Sequence, residues 1–224
     1  MAVCEDRQTG IERLLNKASA PEVIILDDAF QHRKVDPGFS IVLSVFNDLF
    51  IDDYLLPVGN LREPRSGVNR ADAIVVTKCP DTITEAQKVR TVTKIKKVTD
   101  LPIFFSYIDY AAHIEGVGKS LPIQQRLQGE QFTLVTGIAN PKPLVGHLTS
   151  LGLDFEHLKY GDHHNFALSE IETLSTKKTI LTTEKDYVRL QHLLKDVDVY
   201  YLPIVSVIEN SDQLDGLITK YLNK

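Results

Sequence analysis

Cysteine is scarce in this sequence, long apolar runs are missing and positive charge is in deficit, and each shortage removes a class of function. Cys4 and Cys79 are the only two cysteines, too few to complete a structural zinc site. No secretory leader is recognised ahead of them, so both are expected to be reduced thiols in cytosol. No stretch approaches the roughly 18 to 20 consecutive apolar residues of a membrane-spanning helix, and any membrane contact is expected to be peripheral. Lys and Arg number 25 against 30 Asp and Glu, a formal net charge of -5. A phosphate-backbone footprint needs clustered basic residues, so nucleic acid is not an expected partner.

What remains is a globular composition: 43% of the 224 residues are hydrophobic and 25% charged, enough for a sizeable core in one large domain or two small ones. Short apolar runs alternate with helix-period segments, the pattern of a mainly parallel α/β architecture. Val23-Ile24-Ile25-Leu26 reads as a strand buried on both sides, at or near a sheet edge. Ile41-Val42-Leu43, Ile74-Val75-Val76 and Ile103-Phe104-Phe105 read as further strands. Helices are predicted around Ile11, Leu14 and Leu15, and from Ile83 to beyond Val92, the second opened by a capping box of Thr82 and Glu85.

A second series places strands at 133–136, 155–160, 179–182 and 199–203. Between and after them lie helices bearing Leu144 and Leu148, Ile171 and Leu174 (behind a capping box of Ser169 and Glu172), Tyr187 and Leu190, and Leu214 and Leu222. The stretch 107–130, with Gly116, Gly118 and Pro122, has no strong period and reads as a linker. The expected organisation is a core α/β domain over 1–106, an interdomain linker over 107–130 and a smaller C-terminal α/β domain over 131–224.

The most informative stretch is Asp27-Asp28-Ala29-Phe30-Gln31-His32-Arg33, directly after the first apolar run. A parallel strand ending in two carboxylates sets them at the carboxyl edge of a sheet, where α/β folds bind ligands. Magnesium takes hard oxygen ligands and keeps several waters, so one or two carboxylates beside a phosphate suffice. Capping of a turn is the plainer role for such a pair, but Gln31, His32 and Arg33 crowd further polar groups into the same loop.

This stretch is similar to the Asp-Asp-Gly-Phe-Gln-His-Arg signature of the lipid A 4'-kinases, with Ala29 in place of the family's usual Gly, which requires a negative φ at residue 29. Leu55-Leu56-Pro57-Val58-Gly59-Asn60-Leu61-Arg62-Glu63-Pro64 followed by Arg70-Ala71-Asp72 resembles the family's next block. Gly137-Ile138-Ala139, Asp162-His163-His164 and Thr183-Glu184-Lys185-Asp186 resemble motifs of its second domain, in the same order. The resemblance implies a P-loop-kinase-like α/β/α domain, N-terminally incomplete here, followed by a second α/β domain.

It further implies ATP and Mg2+ as cofactors, a lipid A disaccharide precursor as substrate and a peripheral place on the cytoplasmic face of the inner membrane, with this shorter chain cytosolic. In those terms Asp27, Asp28 and Glu63 are expected to bind metal, and Asp28 and His163 to be catalytic. Gln31, His32, Arg62, Asp162, Thr183, Glu184, Lys185 and Asp186 are expected to contact nucleotide or substrate. His163 would orient a catalytic aspartate of the first domain, with its neighbour His164 an alternative for the role.

A phosphate-cradling Gly-rich turn with its Lys is not recognised in residues 1–20, and the family has it ahead of the matched region, together with that aspartate and a membrane-lying helix. The chain by itself is therefore expected to lack turnover. The run from Gly116 to Ser120 ends like such a turn, but His113 stands where the first Gly belongs and Pro122 interrupts the following helix. Its glycines are expected to serve turns. A non-catalytic nucleotide-binding module is the alternative to a kinase, and a metal-dependent hydrolase built on Asp27, Asp28, His32 and His163 ranks last, since no paired-ligand spacing supports it.

Overall fold

A computed structural model describes residues 2–223 and divides them into two compact units. Unit 1 runs through Tyr107 and resumes at Val207, and unit 2 is Ile108–Ser206. Both are α/β with parallel sheets, as the alternation of apolar runs and helical segments leads one to expect.

Unit 1 opens with α1 (Arg7–Leu15), capped by Asp6, whose carboxylate accepts the Thr9 amide at 2.8 Å. Strands β1 (Ile41–Val45), β2 (Ala73–Cys79) and β3 (Ile103–Tyr110) follow in parallel register, Leu43 opposite Val75 and Val75 opposite Phe104. A 3-10 turn, Arg65–Arg70, precedes β2, and α2 (Glu85–Ile95) joins β2 to β3. The Ala-Ile-Val-Val run of β2 is buried on both faces, as a central parallel strand requires. Ile74, Val76, Phe105 and Ile95 pack on one side of it, Ala73, Val75 and Phe104 on the other.

Unit 2 carries a hairpin of β4 (His113–Gly116) and β5 (Lys119–Pro122), the short helix α3 (Ile123–Leu127), then β6 (Phe132–Thr136), α4 (Lys142–Ser150), β7 (Phe155–Lys159), α5 (Leu168–Ser175), β8 (Thr179–Thr182), α6 (Glu184–Leu190) and β9 (Asp198–Tyr201). Its sheet runs β5-β4-β9-β8-β6-β7, parallel from β9 to β7 and antiparallel at the hairpin. β10 (Ile204–Ile208) then pairs in the first sheet beside β3, and α7 (Ser211–Leu222) returns to unit 1.

Several expectations are corrected. Residues 23–26 form no strand: their backbone joins no ladder, Val23 and Ile25 are exposed, and β1 is the sheet edge, with Leu43 largely open to solvent. The stretch 107–130 is not a free linker, because β4 pairs with β9 through Glu115 and Tyr201 and Ile114, Ile123 and Leu127 enter the core of unit 2. Gly118 turns the hairpin at φ 62, where the missing Cβ removes the strain, so this run is a reverse turn with Lys119 already in a strand.

The end of the chain does not belong to the domain expected over 131–224. Leu214, Leu217 and Ile218 of α7 cover Ala73, Val75 and Phe104. Both helix starts also move. Thr84 with Gln87 makes the box of α2, exchanging bonds of 3.3 and 2.8 Å. At α5 the Glu170 carboxylate reaches back to the Ala167 amide at 2.7 Å.

Because Leu214 is the one fully buried residue of α7, Leu214→Ala should destabilise unit 1 by about 2–5 kcal/mol. Hydrogen exchange should then quicken at β2 and β3 and stay unchanged at β6 and β8. Equal quickening in both sheets would contradict the division into units.

Candidate active site

Unit 2 brings three of the motif loops to one edge of its sheet. In the parallel order β7-β6-β8-β9 the chain first winds outward from β6 to β7, then crosses back to β8 on the other side of β6. Such a reversal opens a crevice at the carboxyl ends of the two strands. Residues 137–141 leave β6 there, 160–167 leave β7, and 183–186 leave β8 to begin α6.

Asp186 ties the two central loops together. Its side chain is fully buried, and Oδ2 accepts the Gly137 amide and the Thr183 hydroxyl, both at 2.8 Å. Thr183 is itself the N-cap of α6. A Cβ on Gly137 would stand 2.8 Å from Asp186 Oδ1, so the approach of loop to carboxylate needs glycine. Oδ1 is buried without a partner among the described residues. Expected to contact nucleotide, Asp186 acts instead from the interior, through Gly137 and Thr183.

The first turns of α6 also brace the histidine loop. Lys185 Nζ donates to Asp162 Oδ1 at 2.9 Å and holds that exposed carboxyl below the ordinary aspartate range. The same oxygen accepts the His163 amide at 3.0 Å. Arg189, one turn further on, donates to the His164 carbonyl at 3.1 Å.

His163 sits at φ 57 with an exposed imidazole whose Nε2 is 3.9 Å from Asp162 Oδ2. His164 is committed elsewhere: it stacks on Tyr160, meets the edge of Phe166, and lies 2.8 Å from the Glu170 carboxylate. Of the adjacent histidines, His163 is the one open to a partner. Glu184, in the first turn of α6, is exposed; Arg189 carried no sequence signal.

In unit 1 the carboxylate loop is irregular and largely exposed. Asp28 takes the left-handed conformation at φ 44, while Ala29 is not among the positive-φ residues, consistent with the change from Gly. Arg7 donates to the Asp28 carbonyl at 3.2 Å, and His32 closes a turn on the Ala29 carbonyl at 2.8 Å. Asp27, Gln31 and Arg62 are exposed with no side-chain partner among the described residues, and His32 Nδ1 is buried without one.

Glu63 is already engaged. Both its oxygens accept from Arg70 at 2.9 Å, Arg33 adds a bond of 3.2 Å, and Arg70 lies 4.6 Å over the Phe30 ring. The Arg70 hydrogen bonds hold the Glu63 carboxyl below its ordinary value near 4.5. Among the described residues no group of three or more His, Cys, Asp or Glu gathers as a metal cage. The donor chemistry fits magnesium only through Asp27 and Asp28, free hard-oxygen ligands that leave room for water and phosphate.

Residues 1–223 match the family described as tetraacyldisaccharide-1-P 4'-kinase. The chain belongs to that family. Curated tetraacyldisaccharide 4'-kinases of Flavobacterium johnsoniae and Flavobacterium psychrophilum are 42% and 43% identical to it over 228 and 232 residues. Those alignments take in 100% and 99% of this chain and 66% of each relative, so the chain spans just under two thirds of the relatives it matches. A crystal structure of LpxK from Aquifex aeolicus in complex with ATP is 28% identical, with a TM-score of 0.68 over 97% of this chain and 63% of that one. Family and fold thus agree with the order of the motifs.

Two outcomes are expected. Asp186→Ala strips a buried acceptor from Gly137 and Thr183 and should lower stability by about 2–4 kcal/mol; denaturant melting measures it, and a loss under about 0.5 kcal/mol would refute the buried tie. The second concerns acid. Because the folded carboxyl of Glu63 titrates below 4.5, its contribution is whole above that pH and is lost as pH falls through the folded value. Stability of unit 1 should decline in that window, and Glu63→Gln should flatten the decline.

Proposed function

We propose that this chain carries part of the machinery of an ATP-dependent kinase that phosphorylates the 4'-hydroxyl of a tetraacylated glucosamine disaccharide 1-phosphate, at the cytoplasmic face of a bacterial inner membrane. The observation that carries this reading is the convergence of the Gly137, His163 and Thr183 loops on one crevice of unit 2, in a chain of this family.

In the reading, Asp27 and Asp28 hold Mg2+, which when bound supplies charge neutralisation on the nucleotide phosphates. Glu63 keeps Arg70 and Arg33 in place, so Asp27 and Asp28 rather than Glu63 would hold the ion directly. Gln31 and Arg62 are free to meet phosphate or sugar oxygens, Arg62 through a planar fork suited to phosphate. His32 keeps its unpaired Nδ1 for a donor or acceptor brought by substrate. His163 holds and orients a carboxylate that accepts the proton of the attacking hydroxyl. Asp162 and Lys185 fix the loop that carries it, Glu184 opens α6 with its side chain exposed, and Thr183 and Asp186 fix the neighbouring turn.

Calorimetric titration with MgATP, followed by transfer of labelled γ-phosphate to the tetraacyldisaccharide 1-phosphate, tests the proposal. Asp28→Asn should weaken binding only when magnesium is present. His163→Ala should leave nucleotide affinity within about twofold and, in a fusion that joins the preceding segment of a relative ahead of Ala2, lower kcat about a hundredfold. Binding without transfer in that fusion would favour a nucleotide-binding module, and binding indifferent to Asp28→Asn would remove the metal assignment.

A further inference from the structure

Gly161, Asp162, His163 and His164 form a tight turn, closed where the His164 amide donates to the Gly161 carbonyl at 3.3 Å. Its third residue is His163 at φ 57, a left-handed position that suits glycine and strains a residue with a side chain. Such strain persists only where the surroundings hold it. At the entry to the turn the hold is slight. The Lys185 and Asp162 side chains are 37% and 43% exposed, and an ion pair that open to water contributes little.

The exit is held more firmly. The His164 ring stacks on Tyr160 with centroids 4.8 Å apart and meets Phe166 edge-on at 5.1 Å, and Tyr160 and Phe166 meet each other edge-on, also at 5.1 Å. Tyr160 and Phe166 pack in turn against the core of unit 2. His164 Nε2 lies 2.8 Å from Glu170 Oε2. A carboxylate only accepts, so Nε2 carries the hydrogen and donates it. The same oxygen takes the Ala167 amide at 2.7 Å, which ties Glu170 to the start of α5. Arg189 adds its bond to the His164 carbonyl at 3.1 Å.

We propose that Glu170 and His164 are positioning residues for the phosphoryl transfer: the carboxylate locks the His164 ring, and the locked ring holds the turn that presents His163. This rests on the role given to His163 above. Neither residue meets the reacting groups; both act through one backbone conformation.

A spectroscopic test needs no turnover. In the full chain, nitrogen NMR of the His164 ring should show the Nε2–H tautomer, and the amide coupling and carbon shifts of His163 should report a left-handed residue. Glu170→Ala and His164→Phe should each remove that left-handed signature. Phe keeps the ring packing and leaves the cap of α5 in place but cannot bond to Glu170. Glu170→Gln, which still offers a carbonyl oxygen to both donors, should preserve the signature. So should Glu172→Ala, which removes an exposed acid of the same helix with no side-chain partner among the described residues. Unmoved resonances of β6 and β8 check that each variant is folded.

In the fusion described above, Glu170→Ala and His164→Phe should lower kcat about tenfold and leave KM for MgATP within about twofold, with Glu170→Gln recovering most of the loss. In a His163→Ala background they should cost nothing more, because both act through that residue. A left-handed signature that survives in Glu170→Ala or His164→Phe would overturn the proposal. So would losses that multiply with that of His163→Ala, or a His164→Phe variant as active as the unaltered fusion. A fusion that transfers nothing, or transfers as well with His163→Ala, would sink the kinase reading instead, and the spectra then decide the positioning alone. Should Glu170→Ala fail to fold, His164→Phe decides.

Discussion

A carboxylate removed from water must be met by donors, and in unit 2 that requirement organises the whole crevice. Asp186 can be buried only if the Gly137 amide and the Thr183 hydroxyl reach it, which brings the turn after β6 against the cap of α6. Once α6 is fixed, Lys185 and Arg189, four residues apart, share another face of the helix. They point at the loop after β7 and grip it at Asp162 and at the His164 carbonyl. The position of His163 is thus set by a helix that it does not touch through its own ring. Parallel strands provide the edge; one buried acid converts that edge into a defined arrangement.

Unit 1 solves a related problem with charge rather than burial. Glu63 gathers Arg70 and Arg33, and Arg70 in turn lies over Phe30, so the carboxylate loop is tethered by cationic side chains. Asp27 and Asp28 are left uncompensated by this network. Unit 1 thus holds an acid that accepts three arginine hydrogen bonds and two acids whose carboxylates have no partner among the described residues, and the latter have more lone pairs to offer a cation.

Much of the fold could be read from residue pattern because apolar runs such as Ala73-Ile74-Val75-Val76 and Thr133-Leu134-Val135 are central strands whose both faces are covered. The pattern failed where hydrogen-bonded partners decide. Residues 23–26 have a strand's composition and no ladder, whereas the Gly-containing hairpin at 113–122 has a weak period and two pairing partners. The return of α7 to unit 1 is a contact across more than a hundred residues, invisible to any local period. In the candidate site the loops were legible from their motifs. The roles of Arg70, Arg189 and Asp186 were not, since each depends on which loop a fold sets opposite it.

The place of α7 in unit 1 has a consequence for how the protein is made. A ribosome adds roughly 5–20 residues each second, so unit 2 emerges between Phe104 and the helix that seals the first sheet. During those seconds Ala73, Val75 and Phe104 present a bare apolar face, while the later unit can already close on itself. The part begun first is finished last, and the nascent chain exposes to chaperones and to neighbouring ribosomes a half-covered sheet that the mature protein never displays.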